Sequence, residues 1–231
     1  MDGILCVDKP VGFTSHDVVA LVRRRFRLEK VGHGGTLDPA ATGLLVLLLG
    51  RATKLSDRVM SGDKVYQGTL RLGVETSTQD AEGEALRTGD VSGITETALR
   101  EVIDTFKGDQ QQIPPMVSAV KKGGVALYKL ARKGEVVERE PRLVHIYDFK
   151  LLNFNPPDGE IEVRCSKGTY VRTLCHDVGE KLGCYGHLAG LRRTVSGNFK
   201  IAQAITVEAL KKMDTKDDLR PFVISMAAAV M

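Results

Sequence analysis

Short apolar runs, alternating segments and helical stripes follow one another along this chain, and each predicts an element. GILCV (3–7) is an apolar run of strand length. Thr14 and Asp17 form a Thr-x-x-Asp capping signal ahead of Val18, Val22 and Phe26, so a helix is expected over 15–27. VGHGGTLDPAATG (31–43) is rich in Gly and Pro and runs into LLVLLLG, a structured loop feeding a buried strand. In VYQGTLRLG (65–73), Tyr66, Leu70 and Leu72 share one strand face, with Gln67, Thr69 and Arg71 on the other. ETSTQDAEGEA (75–85) is polar turn chemistry, and Thr95 caps a helical stripe of Leu99, Val102, Ile103 and Phe106 that stops at Gly108. QQIPPM (111–116) reads as a rigid loop. LVHIYDFKLL and EIEVRCS pair as antiparallel strands around NFNPPDG. Val171, Leu174, Cys175, Val178 and Leu182 then mark a helix ending at Gly183, with Arg172 in its first turn.

Strands and helices intersperse without a βαβ rhythm, which predicts an α+β fold with a mixed, largely antiparallel central sheet flanked by helices. With 231 residues, 42% of them hydrophobic, the chain can bury a sizeable core. The pattern holds as one main domain over 1–213 and breaks near TKDD, leaving 214–231 as a C-terminal tail. Cys6, Cys165, Cys175 and Cys184 are too scattered for a CxxC pair or a zinc finger, so reduced thiols of a cytoplasmic protein are expected, with neither disulfide nor zinc. No stretch approaches the roughly 20 apolar residues of a membrane span, and the N-terminal apolar run is too short for a signal peptide. Net charge is only +4, yet Arg23, Arg24, Arg25, Arg27 and Lys30 cluster while 75–104 is acidic. Either run alone reads as a solvated face; together they allow a one-sided field for a polyanion. Neither GxGxxG nor a P-loop pattern occurs, so no nucleotide cradle is signalled.

Several segments combine into a resemblance. VGHGGTLDPAATG with GRATKL resembles the catalytic motif of the TruB family of tRNA pseudouridine-55 synthases, and VDKPVGFTSHDVV its N-terminal Lys-Pro motif. DKVYQGTLRLGVETSTQDAEG, QQIPPMVSAVKKGG, LYKLARKG, CSKGTYVRTLCHDVGEKLGC and LRRTVSGNF follow in the family's order, so the likeness covers the chain from Asp2 to about Leu210. It implies an isomerase that flips uridine 55 out of the T arm of tRNA and reattaches it through C5, without metal, nucleotide or organic cofactor.

The same likeness assigns roles. An isolated Leu-Asp-Pro is an ordinary turn; the resemblance makes Asp38 the catalytic carboxylate, as nucleophile or acid/base, with the route left open. A carboxylate enclosed by a flipped base needs a nearby cation to stay charged, and GTYVR supplies Arg172 as that partner by resemblance. Tyr66 becomes the residue stacked on the target uracil, where an aromatic platform returns roughly 1–3 kcal/mol against the few kcal/mol that extrusion costs. Tyr170 and Leu191 line the pocket, His33 occupies the gap left by flipped nucleotides, Lys9 with Pro10 supports the catalytic loop, and Lys167 and the helix around Arg24 contact phosphates. The plainer readings are strand and helix packing for Tyr66 and Tyr170, a structural histidine, and a strand-end turn at Lys9.

Gly34 stands where relatives often carry Thr, and Val117 where they often carry Tyr; the PUA barrel of many relatives is not expected in 214–231. The partner implied is tRNA alone, with no membrane, no obligatory protein partner and a monomeric enzyme. Within the enzyme class the alternative is the catalytic subunit of guide-RNA-directed pseudouridylation; outside it stand a non-catalytic tRNA chaperone and a plain structural domain.

Overall fold

A computed structural model describes residues 1–118, 121–131, 134–135 and 137–228, apart from the side chains at 121, 122, 126, 128 and 129. Parts of the motif segments 111–124 and 127–134 therefore lie outside the described residues. The strands are β1 (Gly3–Lys9), β2 (Val31–His33), β3 (Thr42–Leu49), β4 (Lys64–Leu72), β5 (Val74–Thr76), β6 (Ala85–Thr88), β7 (Gly108–Gln112), β8 (Lys121–Lys122), β9 (Val125–Ala126), β10 (Arg142–Asn155), β11 (Asp158–Cys165), β12 (Gly186–Ser196), β13 (Phe199–Lys200), β14 (Ile205–Thr206) and β15 (Val223–Ile224). The helices are α1 (Ser15–Arg25), α2 (Ser56–Ser61), α3 (Glu96–Asp104), α4 (Leu127–Ala131), α5 (Val171–Leu182), α6 (Val207–Lys212) and α7 (Lys216–Leu219). The chain divides into two compact units, Met1–Tyr66 with Leu191–Met231, and Gln67–Gly190. It passes from one to the other within β4 and again within β12.

In the first unit β3 pairs antiparallel with β1 (Lys9 opposite Gly43) and with β2, and parallel with β12 (Arg193 opposite Gly43). β1 also takes β14 parallel and β15 antiparallel. Both faces of β1 and β3 are covered, which is why the runs ILCV and LLVLLL within them are apolar and do not alternate. Leu5, Val7, Leu45, Leu47 and Leu49 pack with Val18, Val22 and Phe26 of α1, Leu210 of α6 and Leu219 of α7. Ile4, Cys6, Leu44, Val46 and Leu48 pack on Ala52, Val59 and Phe199. The predicted capping box is present: the Thr14 side chain accepts from Asp17 N, and the Asp17 carboxylate accepts from Thr14 N. α1 nevertheless stops at Arg25, two residues short of the expected end, because Arg27 takes a left-handed φ of 48°.

In the second unit β10 lies between β7 and β11, antiparallel to both. Alternate residues of β10 and β11, among them Val144, Ile146, Ile161 and Val163, are buried, and α3 packs against β10 and α5. α3 starts at the predicted Thr95 cap, and α5 ends at the predicted Gly183, φ 73°. Three expected loops contain strand residues: Val31–His33 of the 31–43 segment form β2, residues 75–85 are bracketed by the β5–β6 hairpin, and Gln111 and Gln112 belong to β7. All four cysteines are buried thiols, and burial pushes that of Cys6 up to about 12. Among the described residues no helix is long and apolar enough to cross a membrane.

Candidate active site

The first unit carries the Asp38 loop. Asp38 is exposed and opens a turn in which its carbonyl accepts from Ala41 N at 3.1 Å, with Pro39 in the second position that favours this geometry. Lys9 is fully buried, and its ammonium donates to the carbonyls of Phe13 (2.6 Å), Pro10 (3.0 Å) and Pro39 (3.2 Å). Such a buried cation would be very costly without acceptors, and these carbonyls offset much of that cost. Gly12 N also donates to Pro39 O, so the 10–13 turn and the Asp38 loop are joined at Pro39.

On the other side of Asp38, the Ser15 hydroxyl accepts from Leu37 N (2.8 Å) and donates to Leu37 O (3.1 Å). Ser15 faces inward because it begins α1 directly after the Thr14 cap. Arg193, 1% exposed, donates from Nε to Leu44 O, from Nη1 to Thr36 O and from Nη2 to Gly35 O. β12 comes this close to β3 only because residue 43 is glycine. A Cβ there would stand 2.4 Å from Arg193 O, and the φ of +97° is one that side chains other than glycine rarely adopt. At Gly34, the space a larger residue would use is filled by Val59, whose Cγ1 would lie 2.4 Å from an added Cβ.

Tyr66 and Leu191 are half-buried and pack on the same apolar cluster as Leu37 and Ala41; the Leu191 carbonyl also accepts from Thr42 Oγ1 at 3.3 Å. Lys9 thus binds the Asp38 loop at Pro39, Leu191 meets the end of that loop at Thr42, and Tyr66 packs on the large apolar cluster that Leu37 also joins. His33 ends β2, and its Nδ1 is enclosed with no hydrogen-bond partner among the described residues. Burial, then the Arg193 charge, then that of His16 push its imidazole below the ordinary histidine value. It is therefore an uncharged ring near neutral pH.

The second unit carries Lys167, Tyr170 and Arg172. Lys167 is exposed on the turn between β11 and α5. Gln112 fixes the backbone at the start of α5 twice, accepting from Tyr170 N (2.7 Å) and donating to Tyr170 O (3.1 Å). Arg172 is 3% exposed, and its guanidinium donates to Val117 O (2.6 Å), Thr78 O (3.4 Å) and the Asp80 carboxylate (3.3 Å), with its carbon 5.8 Å from the Tyr170 ring centre. Residue 117 serves Arg172 through its carbonyl, which valine supplies as well as tyrosine does. Ser15, Asp80, Gln112 and Arg193 were not singled out from the sequence. Each acts on backbone or on a partner distant in the chain, and only the TSHD, STQD and LRRT segments in which three of them lie gave a signal.

This architecture is found in solved structures. It superposes on a chain of a Cbf5-Nop10-Gar1 complex with a TM-score of 0.77 and 31% identity, covering 99% of this chain and 61% of that one. An archaeal box H/ACA sRNP Nop10-Cbf5 complex gives 0.73 and 29% with the same coverage. The mixed sheet with flanking helices is thus that of the pseudouridine synthase catalytic domain. The family model "TruB family pseudouridylate synthase (N terminal domain)" matches residues 23–171, and that for the "tRNA pseudouridylate synthase B C-terminal domain" matches 172–231, so the chain belongs to the TruB family. Relatives called tRNA pseudouridine synthase B include one from Opitutus terrae, 52% identical over 92% of this chain and 88% of that protein. Others come from Syntrophotalea carbinolica, at 51% over 100% and 75%, and Geobacter sulfurreducens, at 45% over 100% and 76%.

Proposed function

We propose that this chain isomerises uridine 55 in the T arm of tRNA to pseudouridine, with Asp38 as the catalytic carboxylate. The observation that carries the reading is the framing of Asp38: an exposed carboxylate on a turn whose neighbouring backbone is bound by buried Lys9, Ser15 and Arg193. An anion held still on an exposed turn is what attack on, or proton transfer from, an extruded nucleoside requires. The reaction breaks the C1'–N1 bond, turns the uracil, forms C1'–C5 and releases the C5 proton to solvent while N1 takes one up. Nothing is oxidised or reduced, so the chemistry calls for no redox partner. Tyr66 stacks on the everted uracil, and Leu191 contacts the substrate. By the family resemblance Arg172 takes the part of counter-charge to the catalytic carboxylate, Tyr170 that of a pocket residue and Lys167 that of a phosphate contact, while within its own unit Arg172 pairs with Asp80. The uncharged His33 ring fills the gap in the T loop, and its neutrality suits stacking among bases. The enzyme works as a monomer in the cytoplasm, without a guide RNA or protein partner.

Tritium release from tRNA carrying 5-tritiated uridine tests this reading. The purified chain alone should release tritium from a bare T-arm stem-loop, and Asp38→Asn should release none while binding the RNA within a few-fold of wild type. Arg172→Met should depress kcat more than affinity. Release that needs an added guide or protein would place the chain with the guide-dependent enzymes, and full turnover by Asp38→Asn would remove the carboxylate from the chemistry.

A further inference from the structure

Lys9 answers for only one end of the Asp38 loop, and the other end is held by side chains that the proposed mechanism does not use. Each carbonyl from residue 35 to residue 39 has a defined partner. Gly35 O and Thr36 O accept from Arg193, Leu37 O from Ser15, Asp38 O from Ala41 N, and Pro39 O from Lys9 and Gly12 N. These partners come from β12, the first residue of α1, the loop itself, the end of β1 and the turn that follows it. Leu37 is held most completely: both of its backbone polar groups are bound by one hydroxyl, and its side chain is buried in the core beside Val18 and Val22.

We propose that Ser15 and Arg193 are positioning residues for Asp38, fixing the backbone that leads into the carboxylate so that it meets the extruded nucleoside in one geometry. The inference rests on the assignment of Asp38 as the catalytic group. Arg193 suits the task in a way few other side chains do. Its three carbonyl acceptors, on Gly35, Thr36 and Leu44, diverge around a planar fork, and lysine, with a single ammonium, cannot reach all three. A buried guanidinium satisfied by neutral carbonyls is an expensive way to fill space that methionine could fill, which points to the loop's geometry as its purpose. Ser15, at the start of α1, is the matching device next to Asp38. Alanine there keeps the helix start and the volume but strands the Leu37 amide, which is buried with its residue.

A catalytic group displaced by about 1 Å loses on the order of 100-fold in rate, whereas RNA binding spread over many phosphates is insensitive to such a shift. Ser15→Ala and Arg193→Lys are therefore expected to lower single-turnover kcat about 10- to 100-fold and to leave the Kd for tRNA within about 2-fold. Both act through the same loop, so the double variant should fall little below the worse single one. Ser196→Ala is the control for burial alone. Its hydroxyl is fully buried on β12 with no hydrogen-bond partner among the described residues, and its removal should leave kcat unchanged whatever it does to the melting temperature. Folded Ser15→Ala with wild-type kcat would overturn the inference while leaving the function standing. A wild-type chain that makes no pseudouridine in the same assay would instead take down the function. Amide exchange then decides the positioning claim by itself: Ser15→Ala should lose protection at Leu37 and Ala41 but not along β3, and unchanged protection would overturn it.

Discussion

His33 shows how one residue's surroundings set its charge and, through that, the pH response of the fold. Its imidazole is held below the ordinary value near 6.5 by burial first, and by the charges of Arg193 and His16 after it. Below about pH 6.5 the unfolded chain takes up a proton at this position that the folded chain refuses, so stability falls as pH drops through that value. His33→Gln should lose less unfolding free energy than wild type between about pH 7.5 and about pH 5.5 in urea titrations; equal losses would mean the ring is not held neutral. At this scale the sequence is only half readable. Asp38, Tyr66, Arg172, His33 and Lys9 could be named because they sit in recognisable strings, and the strings carry no geometry. Ser15 and Arg193 could not, since a serine after a helix cap and one arginine of an Arg-Arg pair are ordinary until burial shows that their partners are carbonyls 22 and about 150 residues away.

Elements built on a strong apolar period were legible, and those defined by pairing alone were not. β1, β3, α3 and α5 lie where their patterns put them, and the caps at Thr14, Thr95 and Gly183 set the start of α1, the start of α3 and the end of α5. β7, with the sequence GDQQQ, has no apolar alternation and exists because β10 offers it hydrogen bonds. β6 is exposed along its length and is held by β5. The Asp38 loop depends on an element-scale feature of the same kind, the close approach of β12 to β3 at Gly43. Gly43→Ala should cost more than about 2 kcal/mol, because the new Cβ meets backbone atoms and the φ of +97° strains any side chain. Chemical denaturation measures this directly. A loss under about 0.5 kcal/mol, the range of ordinary surface changes, would contradict the described register.

For the whole molecule, a net charge of +4 says little, and the placement of the charges says more. Arg24, Arg25 and Lys211 line a concavity of about 750 Å³ with Phe13 and Leu21, on the same α1 whose first residue holds the Asp38 loop. Arg25 is tied to Asp214 and Lys211 to Glu208, which leaves Arg24 as the exposed cation of this concavity best placed to meet an RNA backbone. Arg24→Glu should weaken tRNA binding and reduce the slope of log K against log salt by about 1 or more, without changing kcat at saturating tRNA; an unaltered slope would show that phosphates do not pass this face. Family and fold class were readable at this scale because the motifs run in order along nearly the whole chain, while the division into two compact units was not, since the chain changes unit inside two strands where no linker composition marks the place. The most direct test of the account is a carbodiimide map of pseudouridine in unmodified tRNA treated with the wild-type chain and with Asp38→Asn. The account predicts one new stop, at position 55, with the wild type and none with the variant. A stop elsewhere, or one that survives the loss of the carboxylate, would contradict it.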